Sequence, residues 1–353
     1  MTERKKILFI GTPYMDLYKD ILNCMESLGY NVDFIPEGKY LQDPNNIRCY
    51  KGIKKWLFIH PKKFKKFLEK KWQKTLASLN FNKTYDILFI LDGQSIHPCV
   101  FDILKQRNTK LYAVNYLFDT TSGVYRFDLN FKYFNKVFSF DKSEVKQYGL
   151  HFLPIYWKSA EKELTNKYDL FGLGRYSSER YKLFSTLQEI GEERKLNYIL
   201  KLGTDQKDFS FFARIKWNLW KFLGRTNRRI PPNFRKSPLN TFENIPPKFF
   251  RQLIAESRII VDTSAPHQDG LTARFMWALG AQKKIITTNQ SVSEYSFFSP
   301  EQIFIVKNID TLKQNDNFTR FLEDSYVMPK EIVENINKYE LSNWLKLILN
   351  EAP

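Results

Sequence analysis

The segment at 259–290, IIVDTSAPHQDGLTARFMWALGAQKKIITTNQ, constrains the fold of this chain more than any other. A short apolar run, Ile259–Val261, is followed by a polar loop and by a helical pattern over Leu271–Leu279 that ends at a glycine, and a second apolar run begins at Ile285. Strand, loop, helix and strand within about 30 residues is the length of one βαβ unit. The loop feeds a helix N-terminus, where free N–H groups and the positive end of the helix dipole favour a phosphate.

The rest of the chain repeats this alternation. Strand-like runs at Lys5–Ile10, Tyr85–Leu91, Lys110–Val114 and Tyr168–Leu173 are separated by helical patterns. Strands separated by helices indicate parallel, doubly wound sheets of the α/β class. At 353 residues the chain is long enough for two such domains.

The pattern breaks into polar residues around 155–168, and this places the expected domain boundary. We therefore predict one Rossmann-like domain at 1–155 and a second at 165–330. The last 23 or so residues, 331–353, follow as a further helix that begins near Pro329.

Composition indicates a folded protein of a reducing compartment. The hydrophobic content of 43% is that of a globular chain. Cys24, Cys49 and Cys99 share no metal or redox spacing, which favours unreactive thiols. The apolar run Ile7–Ile10 is too short for a signal sequence, and no run of about 18 apolar residues occurs. We therefore expect a protein that is made and kept in the cytosol.

The net positive charge of the chain is concentrated in two short segments. Residues 51–75 carry ten lysines and one acid, residues 207–236 carry nine Lys or Arg and one acid, and together they equal the net charge of +17. Aromatic rings interleave with the bases in both, as is typical of a monotopic contact with anionic lipid. The residues expected to make this membrane contact are Trp56, Lys62, Lys63, Lys66, Trp217, Trp220, Arg228 and Arg229.

Two alternatives stay open for these basic segments. Nucleic acid attracts the same charge and stacks on aromatic rings, although no zinc finger, RNP-type motif or helix-turn-helix pattern supports it. The segments could also be ordinary helices with solvated lysine faces.

Short motifs make the chain similar to a known family. Gly270–Arg274 (GLTAR), Ala278–Gly280 (ALG) and Lys284–Asn289 (KIITTN) resemble the "G-L-T-x-R-x-x-E-A-L-G" helix and "K-x-[IL]-I-T-T-N" strand of GT-B glycosyltransferases. The likeness is to bacterial lipopolysaccharide and capsule enzymes and their CgeB-like relatives. With further matches, the resemblance covers residues from about 85 to 306. These further matches lie at Asn115–Thr120, Phe138–Lys142 and Tyr168–Tyr176, with Arg180 after the last.

The resemblance implies a GT-B fold, in which two Rossmann-like domains face a cleft and a terminal helix within 331–353 crosses back to the first domain. It implies transfer of a sugar from a nucleotide diphosphate, UDP- or GDP-linked, to a lipid-linked or growing surface glycan. We expect a peripheral protein on the inner face of the plasma membrane, with no cofactor and no obligatory metal.

The resemblance places the donor beyond the carboxyl ends of the strands, where ligands of open α/β sheets bind. Gly172, Gly174 and Arg175 follow one such end; a glycine backbone can approach a ligand closely, and a guanidinium pairs with a diphosphate. Lys201 ends a neighbouring strand and Arg274 lies in the first turn of the motif helix, so either could neutralise the leaving diphosphate. The loop residues expected to contact the phosphates or the sugar are Asp269, Gly270, Leu271 and Thr272.

One position departs from the family pattern. The relatives place a glutamate before Ala-Leu-Gly, where it holds the donor ribose, whereas this chain has Trp277. An indole cannot accept hydrogen bonds from ribose hydroxyls. Another residue could hold the ribose, with His267 and Asp269 nearby; otherwise donor binding differs or activity has been lost. Trp277 could also pack in the core.

On the acceptor side, Asp92, His97 and Asp119 lie at or near predicted strand ends. A carboxylate or imidazole there could deprotonate an acceptor hydroxyl in an inverting reaction. A retaining enzyme needs no such base, and Asp92 could instead cap a helix. The acceptor prediction therefore names Asp92, Asp119 and His97 as candidate catalytic residues.

Other chemistries fit the sequence poorly. It contains no Asp-x-Asp pair, its four histidines have no zinc spacing, and it has neither a G-x-G-x-x-G fingerprint nor a Walker A motif. A glycosyltransferase is the leading hypothesis. The alternatives are a non-catalytic sugar- or nucleotide-binding protein and, with less support, a nucleic-acid-binding protein.

Overall fold

The computed structural model describes residues 4–13, 17–37, 61–79, 83–93, 95–121, 130–158, 166–222, 230–243, 245–264 and 269–349. The chain divides into two compact units. One takes in the chain up to Ile155 together with the segment from Leu341, and the other runs from Tyr156 to Glu340. Among the described residues, no helix is both long enough and apolar enough to cross a membrane.

The first unit is built on a six-stranded sheet whose strands are all parallel, in the order β2-β1-β3-β4-β5-β6. The central strands are buried on both faces, as a parallel sheet covered by helices requires, and therefore read as unbroken apolar runs. The elements are β1 Lys6–Gly11, α1 Leu17–Ser27, β2 Asn31–Pro36, α2 Pro61–Ser78, β3 Ile87–Leu91, α3 Cys99–Arg107, β4 Tyr112–Leu117, β5 Lys136–Ser139, α4 Lys142–Tyr148 and β6 His151–Phe152.

The second unit has a second six-stranded parallel sheet, in the order β12-β11-β10-β7-β8-β9. Counted by its own strands, this is the 3-2-1-4-5-6 order of a Rossmann fold. The elements are β7 Tyr168–Arg175, α5 Ser178–Glu193, β8 Tyr198–Gly203, α6 Phe211–Phe222, β9 Asn240–Thr241, α7 Pro247–Ala255, β10 Ser257–Asp262, α8 Ala273–Gly280, β11 Lys284–Thr287, β12 Ile303–Ile305, α9 Asp316–Glu323 and α10 Lys330–Asn337.

The terminal segment is two helices rather than the single helix expected from Pro329. After α10 the chain breaks and resumes as α11, Leu341–Leu349. The break has a local cause, because Trp157 donates hydrogen bonds to two backbone carbonyls at this point of the chain. Its Nε1 donates to the Ile336 carbonyl at 2.8 Å and its backbone N–H to the Tyr339 carbonyl at 2.9 Å.

Helix α11 belongs to the core of the first unit. Trp344 is fully buried, its Nε1 donates to the Pro154 carbonyl at 3.0 Å, and its ring meets that of Tyr116 edge-on, with 4.6 Å between the centroids. The predicted α/β class with doubly wound parallel sheets is confirmed in both units.

Candidate functional site

The second sheet has one point where crossovers leave in opposite directions. β7 and β10 are neighbours, but the chain leaves β7 toward β8 and leaves β10 toward β11. Because such crossovers are right-handed, the following helices α5 and α8 lie on opposite faces of the sheet. A crevice therefore opens beyond the carboxyl ends of β7 and β10, the usual position for a ligand in this topology.

Arg180 joins the two strand ends at this crevice. It lies in the first turn of α5, where the N-cap Ser177 accepts its N–H at 3.2 Å. The guanidinium donates from Nε to Thr263 Oγ1 at 2.6 Å and from Nη2 to the Thr263 carbonyl at 3.2 Å. Nη1 donates to the Arg175 carbonyl at 3.0 Å. The side chain of Arg180 thus has one fixed position over the ends of β7 and β10.

Asp262 holds Arg274 and the start of α8 in place. Its carboxylate is 1% exposed, and Oδ1 accepts from Arg274 Nη1 at 3.0 Å and from Thr272 Oγ1 at 2.7 Å. Thr272 is also the N-cap of α8 and accepts the Phe275 N–H at 3.1 Å. Within the described part of the chain, Arg274 Nε is buried without a hydrogen-bond partner. Buried donors are normally paired with protein groups or ordered water, so this unpaired one is an exception that the site has to explain.

Two guanidinium groups thus lie near one carboxylate, which is hydrogen-bonded to Arg274 and acts on Arg180 through its charge alone. Burial lowers the pKa of Arg180, the nearby charge of Arg274 lowers it further, and Asp262 opposes both effects. Arginine keeps its proton even so, because its ordinary pKa lies far above neutral pH. The crevice therefore holds excess positive charge in partly dry surroundings, and an anion would relieve the repulsion between Arg180 and Arg274. A diphosphate has the charge and the acceptor oxygens to do this.

Of the predicted donor residues, Gly172 and Leu271 lie in the core. A Cβ at Gly172 would lie 2.8 Å from Phe184 and 3.1 Å from Val261, so this glycine serves close packing between α5 and the sheet. Leu271 is 1% exposed. Gly174 lies beneath Arg180, whose Cδ would be 3.5 Å from a Cβ at that position. Gly174 is therefore the predicted glycine that lies at the crevice.

Arg175 and Lys201 have protein partners outside the crevice. Arg175 is largely exposed and its Nη1 lies 3.5 Å from Asp205 Oδ1. Lys201 Nζ donates to the Pro238 carbonyl at 2.7 Å. The guanidinium at the centre of the crevice is instead that of Arg180, which is not among the predicted donor residues. The signal for it was its place in the first turn after Ser177, a serine N-cap.

The loop that enters α8 is fixed from the neighbouring strand. Asn289, after β11, donates from Nδ2 to the carbonyls of Asp269 at 3.2 Å and Gly270 at 3.3 Å. Ser291 Oγ donates to the Asp269 carbonyl at 2.6 Å. The asparagine of the KIITTN motif therefore has a structural role, which is to hold this loop. The side chain of Asp269 is exposed. His267 lies outside the described residues.

Trp277 packs in the core, on the side of α8 that meets α7. It is 5% exposed, its ring lies edge-on to Phe250 at 5.8 Å, and the Arg251 guanidinium lies 5.4 Å from the ring centre. Gly280, at the end of the same helix, is in close contact with the Trp157 ring and leaves no room for a Cβ. Two positions of the A-L-G region are thus fixed by packing between elements of the second unit.

In the first unit, Asp92 is a buried carboxylate at the carboxyl end of β3. Its Oδ1 accepts the N–H groups of Phe118 at 2.6 Å and Asp119 at 3.0 Å. Burial and the nearby charge of Asp119 raise the pKa of Asp92 from 3.8 to about 7, against the effect of these two hydrogen bonds. The alternative that Asp92 caps a helix is wrong, because both donors belong to the loop after β4. A carboxyl group with this pKa can exchange a proton near neutral pH.

The other two acceptor-side residues differ from each other. Asp119 has an exposed side chain beside Asp92. His97 is 6% exposed, and its Nδ1 accepts the Cys99 N–H at 3.2 Å at the start of α3. His97 thus supports the first turn of α3, whereas Asp92 and Asp119 form a carboxylate pair.

Two further buried glutamates in the first unit are absent from the sequence predictions. Glu37 is fully buried, and its Oε1 accepts the N–H of Ser95 at 2.5 Å and its hydroxyl at 3.1 Å. Glu144 accepts the N–H of Thr121 at 2.6 Å and its hydroxyl at 2.9 Å, and burial raises the pKa of Glu144. Each carboxylate holds a loop at the edge of the sheet where Asp92 lies. A glutamate beside a loop is usually solvated, so the sequence gives no signal for these two.

The basic segment around α2 is an ordinary surface helix where it is described. Trp72 and Leu76 are fully buried, Trp72 Nε1 donates to the Ser95 carbonyl at 2.8 Å, and Lys66 is exposed to solvent. This matches the alternative of a solvated lysine face on an amphipathic helix. Of the remaining predicted membrane contacts here, Trp56 lies outside the described residues, and the first turn of α2 contains Lys62 and Lys63.

The basic segment around α6 is different. Trp217 is partly buried, and the predicted Trp220 lies in the same helix. Arg228 and Arg229 lie outside the described residues. The side chains that α6 exposes most are phenylalanines, which the sequence predictions do not name as contacts. The most exposed of them are Phe211, Phe212 and Phe222.

No model of a known protein family matches the sequence, and no characterised protein matches it in sequence comparison. Solved structures do match the fold. A glycosyltransferase from Rickettsia africae ESF-5 is 14% identical with a TM-score of 0.54, over 99% of this chain and 97% of its own. A UDP-forming α,α-trehalose-phosphate synthase from Burkholderia vietnamiensis is 10% identical with a TM-score of 0.56, over 99% of both chains.

A third match is the UDP-GlcNAc 2-epimerase of Methanocaldococcus jannaschii in complex with UDP-GlcNAc and UDP. It is 12% identical with a TM-score of 0.51, over 98% of this chain and 99% of its own. Likeness at such identities shows the fold alone, and that fold is GT-B, as predicted. Because an epimerase and transferases both share it, the reaction has to be argued from the residues of the site.

Proposed function

We propose that the protein is a glycosyltransferase whose second unit binds the diphosphate of a nucleotide-sugar donor between β7 and β10. The observation that carries this proposal is the pair of guanidinium groups, Arg180 and Arg274, fixed beside Asp262 at the switch point of a 3-2-1-4-5-6 sheet. Two of the solved structures that share the fold support this choice of ligand, because one is described as UDP-forming and another is in complex with UDP-GlcNAc and UDP.

In this proposal the guanidinium groups stabilise the leaving diphosphate. Asp262 engages Arg274 through Nη1, and the part of the side chain that stays exposed, 16%, is the part that a phosphate oxygen can reach. The first N–H groups of α8, which Thr272 caps, add the positive end of the helix dipole. Such preorganised donors act on the charge that develops as the sugar–phosphate bond breaks. Since these groups supply the positive charge, we expect no obligatory metal.

On the acceptor side, Asp92 is the proposed base and Asp119 its partner. A pKa of about 7 lets Asp92 take a proton from an acceptor hydroxyl near neutral pH, as an inverting transfer needs. The charge of Asp119 helps to keep this pKa high. The proposed acceptor is a lipid-linked or growing surface glycan of the lipopolysaccharide or capsule kind, reached from the inner face of the plasma membrane.

The donor site is tested with the full chain and a panel of UDP-, GDP-, CMP- and TDP-sugars, by thermal shift and by slow donor hydrolysis with and without EDTA. One nucleotide family should raise the melting temperature, and EDTA should leave hydrolysis unchanged. Arg180→Ala and Arg274→Ala should weaken binding at least tenfold, because a hydrogen bond to a charged group contributes about 1.5–3 kcal/mol.

The matched control is Arg194→Ala. Arg194 follows the opposite end of α5 from Arg180 and pairs with Glu323 at 2.8 Å, so its loss removes the same charge away from the crevice. Arg274→Lys keeps the charge and guards against a folding defect caused by leaving Asp262 unpaired. Unchanged affinity in both arginine variants, or no stabilisation by any nucleotide, would overturn the proposal.

A non-catalytic nucleotide-sugar-binding protein is the second candidate. It is favoured by one observation, that the motif position of the family glutamate holds a core tryptophan, Trp277, and so offers the ribose no carboxylate. Tight binding without hydrolysis or transfer for any donor would select this candidate.

A further inference from the structure

Helix α6 carries an apolar face that nothing in the described chain covers. Five side chains remain exposed along it: Phe211 at 72%, Phe212 at 75%, Ile215 at 49%, Leu219 at 56% and Phe222 at 88%. At 3.6 residues per turn all five fall within about 100° of the helix circumference, so they form one continuous stripe. A surface helix normally turns such a stripe toward the core.

The other side of α6 faces the protein. Ala213 and Trp217, roughly opposite the stripe, are partly buried. The entry to the helix is also fixed, because a capping box between Asp205 and Asp208 forms the 3₁₀ turn at Gln206–Phe209. The helix is therefore held in place with the exposed stripe pointing away from its own unit.

The charge around the stripe selects its partner. From Ser210 to Phe242 the chain contains eight Lys or Arg residues and no Asp or Glu. Lys207, just before the helix, is 80% exposed and pairs with Asp205 at 3.2 Å. A second copy of the chain would bring two such basic segments together, whereas an anionic surface complements them. Phenylalanine rings can stack on unpaired bases, but the stripe also contains Ile215 and Leu219, whose aliphatic side chains offer a base neither a ring nor a hydrogen bond. Phenylalanine and aliphatic side chains together favour the interface of a bilayer.

We propose that α6 is an interfacial membrane helix, which inserts the stripe Phe211–Phe222 at the headgroup level of an anionic bilayer while the neighbouring bases bind lipid phosphates. The inference names the membrane partner of the proposed function and rests on it for the lipid-linked acceptor. The position of the helix suits that role. It follows the carboxyl end of β8, at the edge of the sheet where Arg175 pairs with Asp205.

The test is vesicle co-sedimentation of the full chain. Vesicles of phosphatidylcholine with 30 mol% phosphatidylglycerol are compared with pure phosphatidylcholine, at about 0.1 and 0.5 M salt, where charge screening differs. Binding should require the anionic lipid and weaken at the higher salt. Phe211→Ser/Phe222→Ser should reduce the partition coefficient at least tenfold without lowering the melting temperature, because both side chains are exposed.

Val327→Ser is the matched control, since Val327 is as exposed as Phe222, at 88%, but lies outside the basic segment. Donor hydrolysis, measured in parallel, should be unchanged in the serine variant, so a failed transferase proposal gives a different result from a failed anchor. Equal vesicle binding by the serine variant and the native chain would overturn the inference. So would absence of vesicle binding, or stripe-dependent dimerisation or duplex DNA binding in its place.

Discussion

Buried carboxylates do the same structural work at both sheets. Asp92 and Glu144 accept backbone N–H groups from loops at the edge of the first sheet, and Asp262 accepts from the N-cap of α8 in the second. An ionised oxygen makes stronger hydrogen bonds than a neutral one, and a single residue can hold a whole loop. The loops nearest the proposed chemistry are therefore fixed by carboxyl groups rather than by backbone hydrogen bonds alone.

Asp92 should make stability depend on pH. Its pKa is about 7 in the folded protein and ordinarily 3.8, so the folded state binds a proton that the unfolded chain releases between these values. The free energy of unfolding should therefore fall as pH rises from about 4 to about 7. Asp92→Asn keeps an oxygen acceptor for Phe118 and Asp119 and should flatten this profile, as measured by urea unfolding at several pH values.

The same substitution should lower kcat by about 100-fold or more and remove an ionisation near pH 7 from the profile of kcat/KM, if Asp92 is the base. Asp119→Asn should reduce the pH dependence of stability without abolishing it, because the charge of Asp119 is the second cause, after burial, that raises the pKa of Asp92. If the free energy of unfolding of the wild-type protein does not change between about pH 4 and 7, the raised pKa of the buried Asp92 is contradicted.

At the scale of elements, the start of α8 connects stability with the proposed donor site. Thr272 Oγ1 accepts the Phe275 N–H and donates to Asp262, so one hydroxyl both caps the helix and orients the partner of Arg274. The sequence motif predicted the helix and named Thr272 and Arg274. It could not name Asp262 as their common partner, because the contact spans a loop whose path the motif does not specify.

Thr272→Ala should cost about 1 kcal/mol of stability from the lost cap. It should also weaken nucleotide binding several-fold, because Asp262 then has one donor fewer to fix its position beside Arg274. Thr272→Ser retains the hydroxyl and should restore both properties. Thermal unfolding and nucleotide titration check the two effects. Loss of stability with unchanged nucleotide affinity would show that Thr272 caps the helix but does not contribute to the donor site.

The fold was more accessible from the sequence than the site. Unbroken apolar runs such as Ile87–Leu91 are typical of buried parallel strands. The α/β class, which the structure confirms, was predicted from them. Arg180 and Glu37 act through partners distant in sequence, Thr263 and Ser95, and no local pattern reports such pairs. Basic, aromatic α2 and α6 look alike as sequences. Only the packing distinguishes the buried Trp72 from the exposed Phe222.

At the scale of the whole molecule, the two units should respond separately to one core substitution. Trp344 is fully buried in the first unit, so Trp344→Ala should destabilise that unit by about 3–5 kcal/mol. The nucleotide-dependent stabilisation should persist, because Arg180 and Arg274 belong to the second unit. Calorimetry with and without the nucleotide found in the donor panel measures both transitions.

Leu347→Ala on the same helix is the control, since Leu347 is 48% exposed and its truncation should cost little. Equal loss of nucleotide affinity and of first-unit stability in Trp344→Ala would show that the units are not independent.

The return of α11 to the first unit also fixes an order of events on the ribosome. The strands of the first unit are synthesised before those of the second, but their core lacks Trp344 until the segment from Leu341 has left the exit tunnel. The second unit is complete at Glu340. During vectorial synthesis, the unit that is translated later can therefore finish folding first, while the earlier one waits with an open hydrophobic surface for the final helix.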